Sequence, residues 1–458
     1  MDWLTLLPPL VALAIAIWTR NVYWALGLAI WLSETLIATA NPALGLIASI
    51  DRAVGVFDST GNTRILLFCL IIGALIAYMQ RSGGISGMVE RLYQTGLAST
   101  PRRAGLISAI SGVLIFVETN VSLLASGVLG RPLFDRLGLS RARLAYIIDS
   151  TCAPISVLIL LNGWGAYVAG LMANAGVENA FTVLFQTIGY NFYPLLTLVG
   201  VFLTVLIGRT IGPMARLEAS GQSLTEATDP TPVSDADLPT PNRALYMALP
   251  VLVLVGGALA FMVWTGEGDI RRGSGSASIL YAVILATALA FLFLLWSGRS
   301  EGKAVEIGFK GMGDLLPAVT VIFLALVLGD SLRALGTGTY IASMASSIPL
   351  PFTVPAILFI AAGITSFTTG TSWGTYGILI PIAVPLAMGA GIPLPLAIAA
   401  VMGGGVFGDH CSPISDTTII ASLASGCDHM EHVRTQLPYA VLAGLGAIGL
   451  YLTAGVLA

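Results

Sequence analysis

Charge is what this sequence has least of. Asp, Glu, Lys and Arg together make up 10% of its 458 residues, against 56% hydrophobic ones. Soluble domains carry about 25% charged residues. With so few, the chain cannot clothe a globule in polar side chains. A soluble fold is excluded, and an all-α polytopic membrane protein is predicted. The net charge of −3 is spread over loops, and no nucleic-acid partner is expected. Cysteine is scarce as well. Cys69, Cys152, Cys411 and Cys427 all lie in or beside apolar runs, which argues against a disulfide framework. No G-x-x-x-x-G-K-[ST], hydrolase or dinucleotide motif occurs. ATP hydrolysis is thereby excluded, no enzyme activity or organic cofactor is expected, and transport work must draw on gradients. The N-terminus opens on an acid, Asp2, and no A-x-A site follows its apolar run. That run reads as a first span rather than a cleaved leader.

Long apolar runs are what the chain has instead. A spanning helix needs about 20 apolar residues. Such runs fall near 3–18, 21–40, 64–80, 143–172 and 182–208, and again near 244–265, 276–296, 314–334, 393–424 and 434–457. Between the two sets, residues 209–243 are rich in Pro, Ser, Thr and Asp and read as a solvated cytoplasmic linker. Two further apolar stretches, 104–130 and 352–389, are polar in the middle: "FVETNVS" in one, "SFTTGTSWGT" in the other. Polar groups at that depth must be buried in protein or face water, so each stretch is predicted to be a re-entrant hairpin.

The same order occurs twice: three spans, a hairpin, a long interrupted span, one more span. "STCAPIS" (150–156) in the first interrupted span aligns with "DHCSPIS" (409–415) in the second, sharing Cys152/Cys411, Pro154/Pro413 and Ser156/Ser415. The chain is therefore read as two repeats, 1–208 and 244–458. Five spans per repeat is an odd number, so the second repeat must be inverted relative to the first. Basic residues test this. With both termini outside, 16 of the 21 Lys and Arg residues fall inside, and only Arg52, Arg64, Arg271, Arg272 and Arg333 fall outside. That distribution obeys the positive-inside rule. The first hairpin then enters from the cytoplasm and the second from outside.

Inverted repeats with interrupted helices are a transporter design, because free backbone carbonyls at mid-membrane can hold a cation. Pro154 and Pro413 are expected to make the two breaks. A carboxylate at a helix centre costs about 2.5–3.5 kcal/mol. Asp409 and Asp416, on either side of the second break, must therefore face a hydrated cavity, hold a cation or carry a proton. Burial favours a protonated acid and a nearby cation favours the ionised one, so one site can exchange H+ for Na+. Asp409, Asp416 and Thr417 are the candidate Na+ ligands, with hydroxyls from Ser412, Ser415 and Thr418 beside them. The first half offers Asp149, Thr151 and Ser156 around its own motif. Hairpin tips would close the site with Glu118, Thr119, Asn120 and Ser122, and with Thr369, Thr371 and Ser372. After the shared serine the second half continues "DTT" where the first has "VLI", which places the main cation site in the second half. Trp164 and Trp373 near the tips suit either an organic ligand or a membrane interface. His410, Cys411, Cys427, His429 and His432 do not match a zinc spacing. His429 and His432 read as part of a helix-capping loop.

"GDHCSPISDTTIIASLASGCDHMEHVRTQLPYA" (408–440) closely resembles the signature of the NhaC-type sodium/proton antiporter family, and "TTGTSWGTYGILIPIAVPLA" (368–387) resembles that family's second hairpin. The resemblance implies a secondary active transporter with Na+ and H+ as coupling ions, a Na+/H+ antiporter first of all. The alternative it leaves is a Na+- or H+-coupled carrier of a small organic acid or amino acid. Through the wider ion-transporter superfamily it also implies an elevator arrangement and a homodimer in the lipid bilayer of a cell membrane, here a bacterial inner membrane. By this likeness the hairpins and broken spans form a mobile transport domain. The remaining spans form scaffold and dimer contact.

Overall fold

A computed structural model describes residues 3–19, 21–94, 100–220, 240–269, 272–345 and 347–458. Among the described residues there are helices and no strand. The first half builds α1 (Leu7–Thr19), α2 (Val22–Ile37), α3 (Pro42–Gly55), α4 (Thr60–Arg81), α5 (Gly84–Gln94), α6 (Pro101–Leu114), α7 (Thr119–Arg136), α8 (Arg141–Leu158), α9 (Gly163–Asn174), α10 (Ala180–Gln186) and α11 (Phe192–Ile207). One more helix, α12 (Gly212–Ser220), opens the segment between the halves. The second half builds α13 (Leu245–Thr265), α14 (Gly275–Trp296), α15 (Ala304–Asp314), α16 (Leu316–Leu335), α17 (Thr337–Ala345), α18 (Val354–Thr369), α19 (Ser372–Ala390), α20 (Leu394–Cys411), α21 (Asp416–Ser425) and α22 (His429–Leu457). Nine helical segments among the described residues are long and apolar enough to cross a membrane, or eleven with two bent pairs counted. The outer surface is apolar to match: Leu252, Leu445 and Val456 are 65%, 62% and 66% exposed. This is a multi-pass membrane protein.

The order of elements recurs. A leading helix (α1, α13) is followed by one running into a short helix (α2–α3, α14–α15), then by a span and a short helix (α4–α5, α16–α17); α1, expected as a span, is shorter than the segments long enough to cross. A pair of helices joined by a tight tip comes next (α6–α7, α18–α19), then a broken helix (α8–α9, α20–α21) and a closing span (α11, α22). Helix α10 has no counterpart.

Several boundaries differ from the sequence reading. The run at 21–40 is not followed by a loop: the chain turns through 115° after α2 and continues as α3. Thr39 and Ala40 make that turn with φ of 55° and 62°. Asn41 then caps α3 by accepting from the amides of Ala43 and Leu44. The fold locks the bend with a buried acid. Glu34, 2% exposed, accepts from Arg52 Nε of α3 at 2.8 Å and from Ser331 Oγ of α16 at 2.6 Å. Arg52→Ala should therefore lower the thermal midpoint of the purified protein, by the equivalent of about 1.5–3 kcal/mol for a hydrogen bond to a charged group. A midpoint equal to wild type would show that the bend does not depend on this pair.

The run at 182–208 is two helices, α10 and α11, parted at Asn191. Pro154 does not break its span. It stays inside α8, and the break comes at residues 159–162, with a bend of 44°. Asn162 explains the position. Its Nδ2 donates to Ser156 O at 2.7 Å and Phe116 O at 3.2 Å, while its Oδ1 accepts from Gly165 N at 3.1 Å. One side chain thus satisfies the end of α8 and caps the start of α9. In the second half Pro413 does lie in the break, between α20 and α21. At the start of the linker α12 is helical, and Ile211 N donates to Tyr439 OH of α22 at 2.7 Å. Residues 221–239 of that linker lie outside the described ones. His429 to His432 are not a loop but the first turn of α22, which Asp428 caps by accepting from Glu431 N at 2.8 Å.

Candidate functional site

The second helical pair turns at Gly370. Its φ of +69° suits glycine, and a Cβ there would lie 2.5 Å from Ile414 O in the α20–α21 break. The tip therefore sits directly against the break. Ser412 Oγ ties the two together by donating to Phe367 O at 2.7 Å. His429 braces the break from the other side, donating from Nε2 to Pro413 O at 2.6 Å.

Asp409 lies in the last turn of α20 and is 4% exposed. Its Oδ1 accepts from Ser366 Oγ of α18 at 2.8 Å, and its Oδ2 accepts from Ser372 Oγ of α19. Both arms of the second pair thus hold one carboxylate. Its backbone carbonyl accepts from Thr418 Oγ1 of α21 at 3.1 Å. Asp416, at the start of α21, is exposed, and its Oδ1 accepts from Thr417 N at 2.9 Å. Ser415 Oγ and Thr417 Oγ1 are 3.1 Å apart and both residues are buried.

The first helical pair is secured differently. Glu118 caps α7, its Oε2 accepting from Val121 N at 2.6 Å. Thr119 Oγ1 donates to Ser156 Oγ of α8 at 3.1 Å, and Ser122 Oγ donates to Gly112 O at 3.1 Å. Thr151 commits its hydroxyl to Ile147 O within α8, at 2.8 Å. Arg131 of α7 reaches the end of α21 and donates to the carbonyls of Leu423 and Ala424. A basic side chain at the last carbonyls of a helix complements its dipole.

A cavity of about 360 Å³ opens where these parts meet. Glu118 and Asn120 line it from the first tip, Thr369, Thr371 and Trp373 from the second, and Asp416 from α21. The opposite wall comes from Asn21, Tyr23, Asp314 and Val321. Among the described residues its lining holds three carboxylates, Glu118, Asp314 and Asp416, and no lysine or arginine. Trp373 stacks on Trp164, with ring centroids 4.0 Å apart.

The sequence candidates therefore divide. Glu118, Asn120, Thr369, Thr371 and Asp416 share the cavity. Asp409 and Ser372 meet behind it. Asp149 lies deeper, fully buried, with Oδ2 accepting from Gln436 Nε2 at 2.7 Å and facing Thr418 Oγ1 at 3.5 Å. Ser366 and Gln436 were not singled out from the sequence, and His432 was read there only as part of a helix-capping loop. Ser366 belongs to the polar stretch "SFTTGTSWGT", and His432 and Gln436 stand at i and i+4 on one face of a helix.

A family model described as the Na+/H+ antiporter family matches residues 144–456. An uncharacterized protein of Haemophilus influenzae is 32% identical over 470 residues, covering 95% of this chain and 88% of that one. The arginine/ornithine antiporter ArcD of Halobacterium salinarum is 35% identical over 192 residues, 38% of this chain and 39% of that one. Among solved structures, the YdaH transporter of Alcanivorax borkumensis superposes with a TM-score of 0.62 at 16% identity, covering 89% of this chain and 88% of that one.

Proposed function

The chain belongs to the Na+/H+ antiporter family and is a secondary active antiporter; from that premise we propose that Na+ and H+ exchange at Asp409. One observation carries this reading: a buried carboxylate held by two neutral hydroxyls, Ser366 and Ser372, at a helix break. An ionised carboxylate in such a place needs a compensating charge. A Na+ ion bound with hydroxyl and carbonyl oxygens supplies it, and so does a proton. The empty, ionised site is the costly form, which makes exchange obligatory. Asp416 and Thr417 complete the cation ligands at the cavity face. Glu118, Asp314 and Asp416 concentrate cations in the cavity.

The recurring element order supports two inverted repeats, and the distribution of basic residues supports termini outside the cell in a bacterial inner membrane. The helices α6–α9 and α18–α21 form the mobile unit of an elevator. Their polar cross-links support this: Asp409 joins α20 to α18 and α19, Thr119 joins α7 to α8, and Arg131 joins α7 to α21. The other spans serve as scaffold and homodimer contact.

A second reading, a carrier of a small organic solute, draws on the cavity. It is larger than a bare ion needs, and Trp373 forms part of its wall. The three lining carboxylates favour a cationic group over an organic acid. One experiment separates the readings. The full chain is reconstituted in liposomes with an internal pH dye, and a Na+ gradient is imposed with no organic solute. The exchanger should move protons at once. Its apparent KM for Na+ should rise about tenfold per unit fall in pH where H+ competes for one site. A trace that stays silent until an amino acid is added would instead establish the solute carrier.

A further inference from the structure

Behind Asp409 lies a second polar cluster that the exchange at Asp409 does not use. Asp149 of α8 and His432 and Gln436 of α22 are each 0% exposed, and His410 of α20 is 1% exposed. His432 Nε2 lies 3.3 Å from Asp149 Oδ2, which also accepts from Gln436 Nε2. Gln436 Nε2 donates to His410 O as well, at 3.1 Å. On the far side, Tyr193 OH of α11 is 2.9 Å from His410 Nδ1. His432 is the sole ion-pair partner of Asp149 among the described residues.

The Asp149–His432 end of the cluster is short of donors. Among the described residues His410 Nε2 has no hydrogen-bond partner, and neither do the buried Asp149 Oδ1, His432 Nδ1 and Gln436 Oε1. Because His432 Nε2 gives its hydrogen to a carboxylate, Nδ1 is the basic nitrogen of the neutral ring, so the last three are all acceptors. Buried acceptors are normally satisfied. With the ring neutral, the cluster carries the uncompensated negative charge of Asp149. A proton on His432 Nδ1 turns an unmet acceptor into a donor and brings that charge to zero.

We propose that Asp149, His432 and Gln436 form a buried proton-binding site, separate from the cation site at Asp409 and joined to it through Thr418. The hydroxyl of Thr418 touches both, at 3.5 Å from Asp149 Oδ2 and 3.1 Å from Asp409 O. The titratable groups facing the pair are His410 and Asp409 on α20, Asp416 on α21, Tyr193 on α11 and Cys152 on α8. None of them carries a fixed positive charge. A Na+ ion at Asp409 therefore repels a proton on His432 with no intervening cation to screen it. The site rests on the exchanger reading for its coupling to Na+, but not for its existence.

The chain has three histidines, His410, His429 and His432, which makes a direct test practical. Full-length protein with 15N-labelled histidine is placed in lipid nanodiscs, and its ring signals are followed by NMR from about pH 5 to 9. Single His→Gln variants assign the signals. The His432 ring signal should change between its neutral and protonated forms as the pH is changed. Na+ added at the midpoint should convert its signal towards the neutral ring. Asp149→Asn should abolish that response to Na+. In liposomes, His432→Gln should move one proton fewer per Na+, read from the reversal potential. A His432 signal that keeps one protonation state throughout overturns the proposal. So does a titration indifferent to Na+ together with an unchanged proton count in folded His432→Gln. If wild type moves no protons in response to Na+ while His432 titrates, the exchanger reading fails and the proton site stands.

Discussion

Asp409→Asn is expected to abolish Na+-driven proton movement while leaving a folded protein. Two losses act together. The amide cannot take up or release a proton, so H+ coupling disappears whatever the Na+ affinity. It also removes the negative charge from a site that is 4% exposed. Losing one partner of a buried charge pair costs about 3–5 kcal/mol, equivalent to about a 10²–10⁴-fold loss of Na+ affinity. Folding should survive because Asn keeps the shape, and one of the two serines can still donate to its carbonyl. The other serine, Ser366 or Ser372, must rotate to accept from the new amide. Ser366→Ala makes the graded comparison. It leaves the carboxylate and removes one hydrogen bond, so Na+ affinity should fall about tenfold, the equivalent of about 1.5 kcal/mol. Both variants are read as Na+-dependent dye signals in liposomes, with thermal midpoints as the folding control. Proton movement by Asp409→Asn at the wild-type rate would remove Asp409 from the exchange site.

How much of this was legible depended on whether the signal was local. A carboxylate in an apolar run is visible in the sequence because its cost is intrinsic to the residue, so Asp409 and Asp416 stood out. The partners of Asp409 are a tertiary matter. Ser366 is 43 positions away, and only the fold brings it there. His432 and Gln436 were obscured by their neighbours. Asp428, Glu431 and Arg434 make the segment look solvated, yet the buried face of α22 recurs at His432, Gln436, Ala440, Gly444 and Ala447. That helical period was the available signal. Pro154 misled because prolines are tolerated within membrane helices when neighbours satisfy the freed groups. Asn162, which sets the break, carries no signal until its partners are known. The bend before α3 did have one: Asn41-Pro42 is a turn dipeptide followed by a helix start.

Gly408→Val is expected to eliminate transport as completely as loss of the carboxylate, without removing any polar side chain. Helices α18 and α20 approach to backbone contact along Gly363, Gly404 and Gly408. A Cβ on Gly408 would lie 2.4 Å from Gly363 O and 2.6 Å from Ser366 Cβ, and one on Gly404 would lie 2.3 Å from Phe359 O. Glycines at 404 and 408 form the small-xxx-small spacing that lets membrane helices pack closely. The neighbours of Gly408 are mainly backbone, so they cannot rotate away, and the helices must part. Overpacking costs about 1–3 kcal/mol, but the geometric effect is larger than the energetic one. Ser366 reaches Asp409 across this seam at 2.8 Å, and a shift of about 1 Å takes that contact beyond hydrogen-bonding distance. Gly408→Ala should be intermediate in both stability and Na+ affinity. Gly449→Ala on α22 is the control: nothing lies within 4 Å of its Cβ position, and Ala should be neutral or stabilise the helix by about 0.5–1 kcal/mol. The seam would lose its assigned role if Gly408→Val exchanged Na+ for H+ with wild-type affinity. If it does not, close packing of two helices sets the position of the exchanging carboxylate, and the glycines of "GGGVFGD" belong to the transport site as much as the aspartate that ends it.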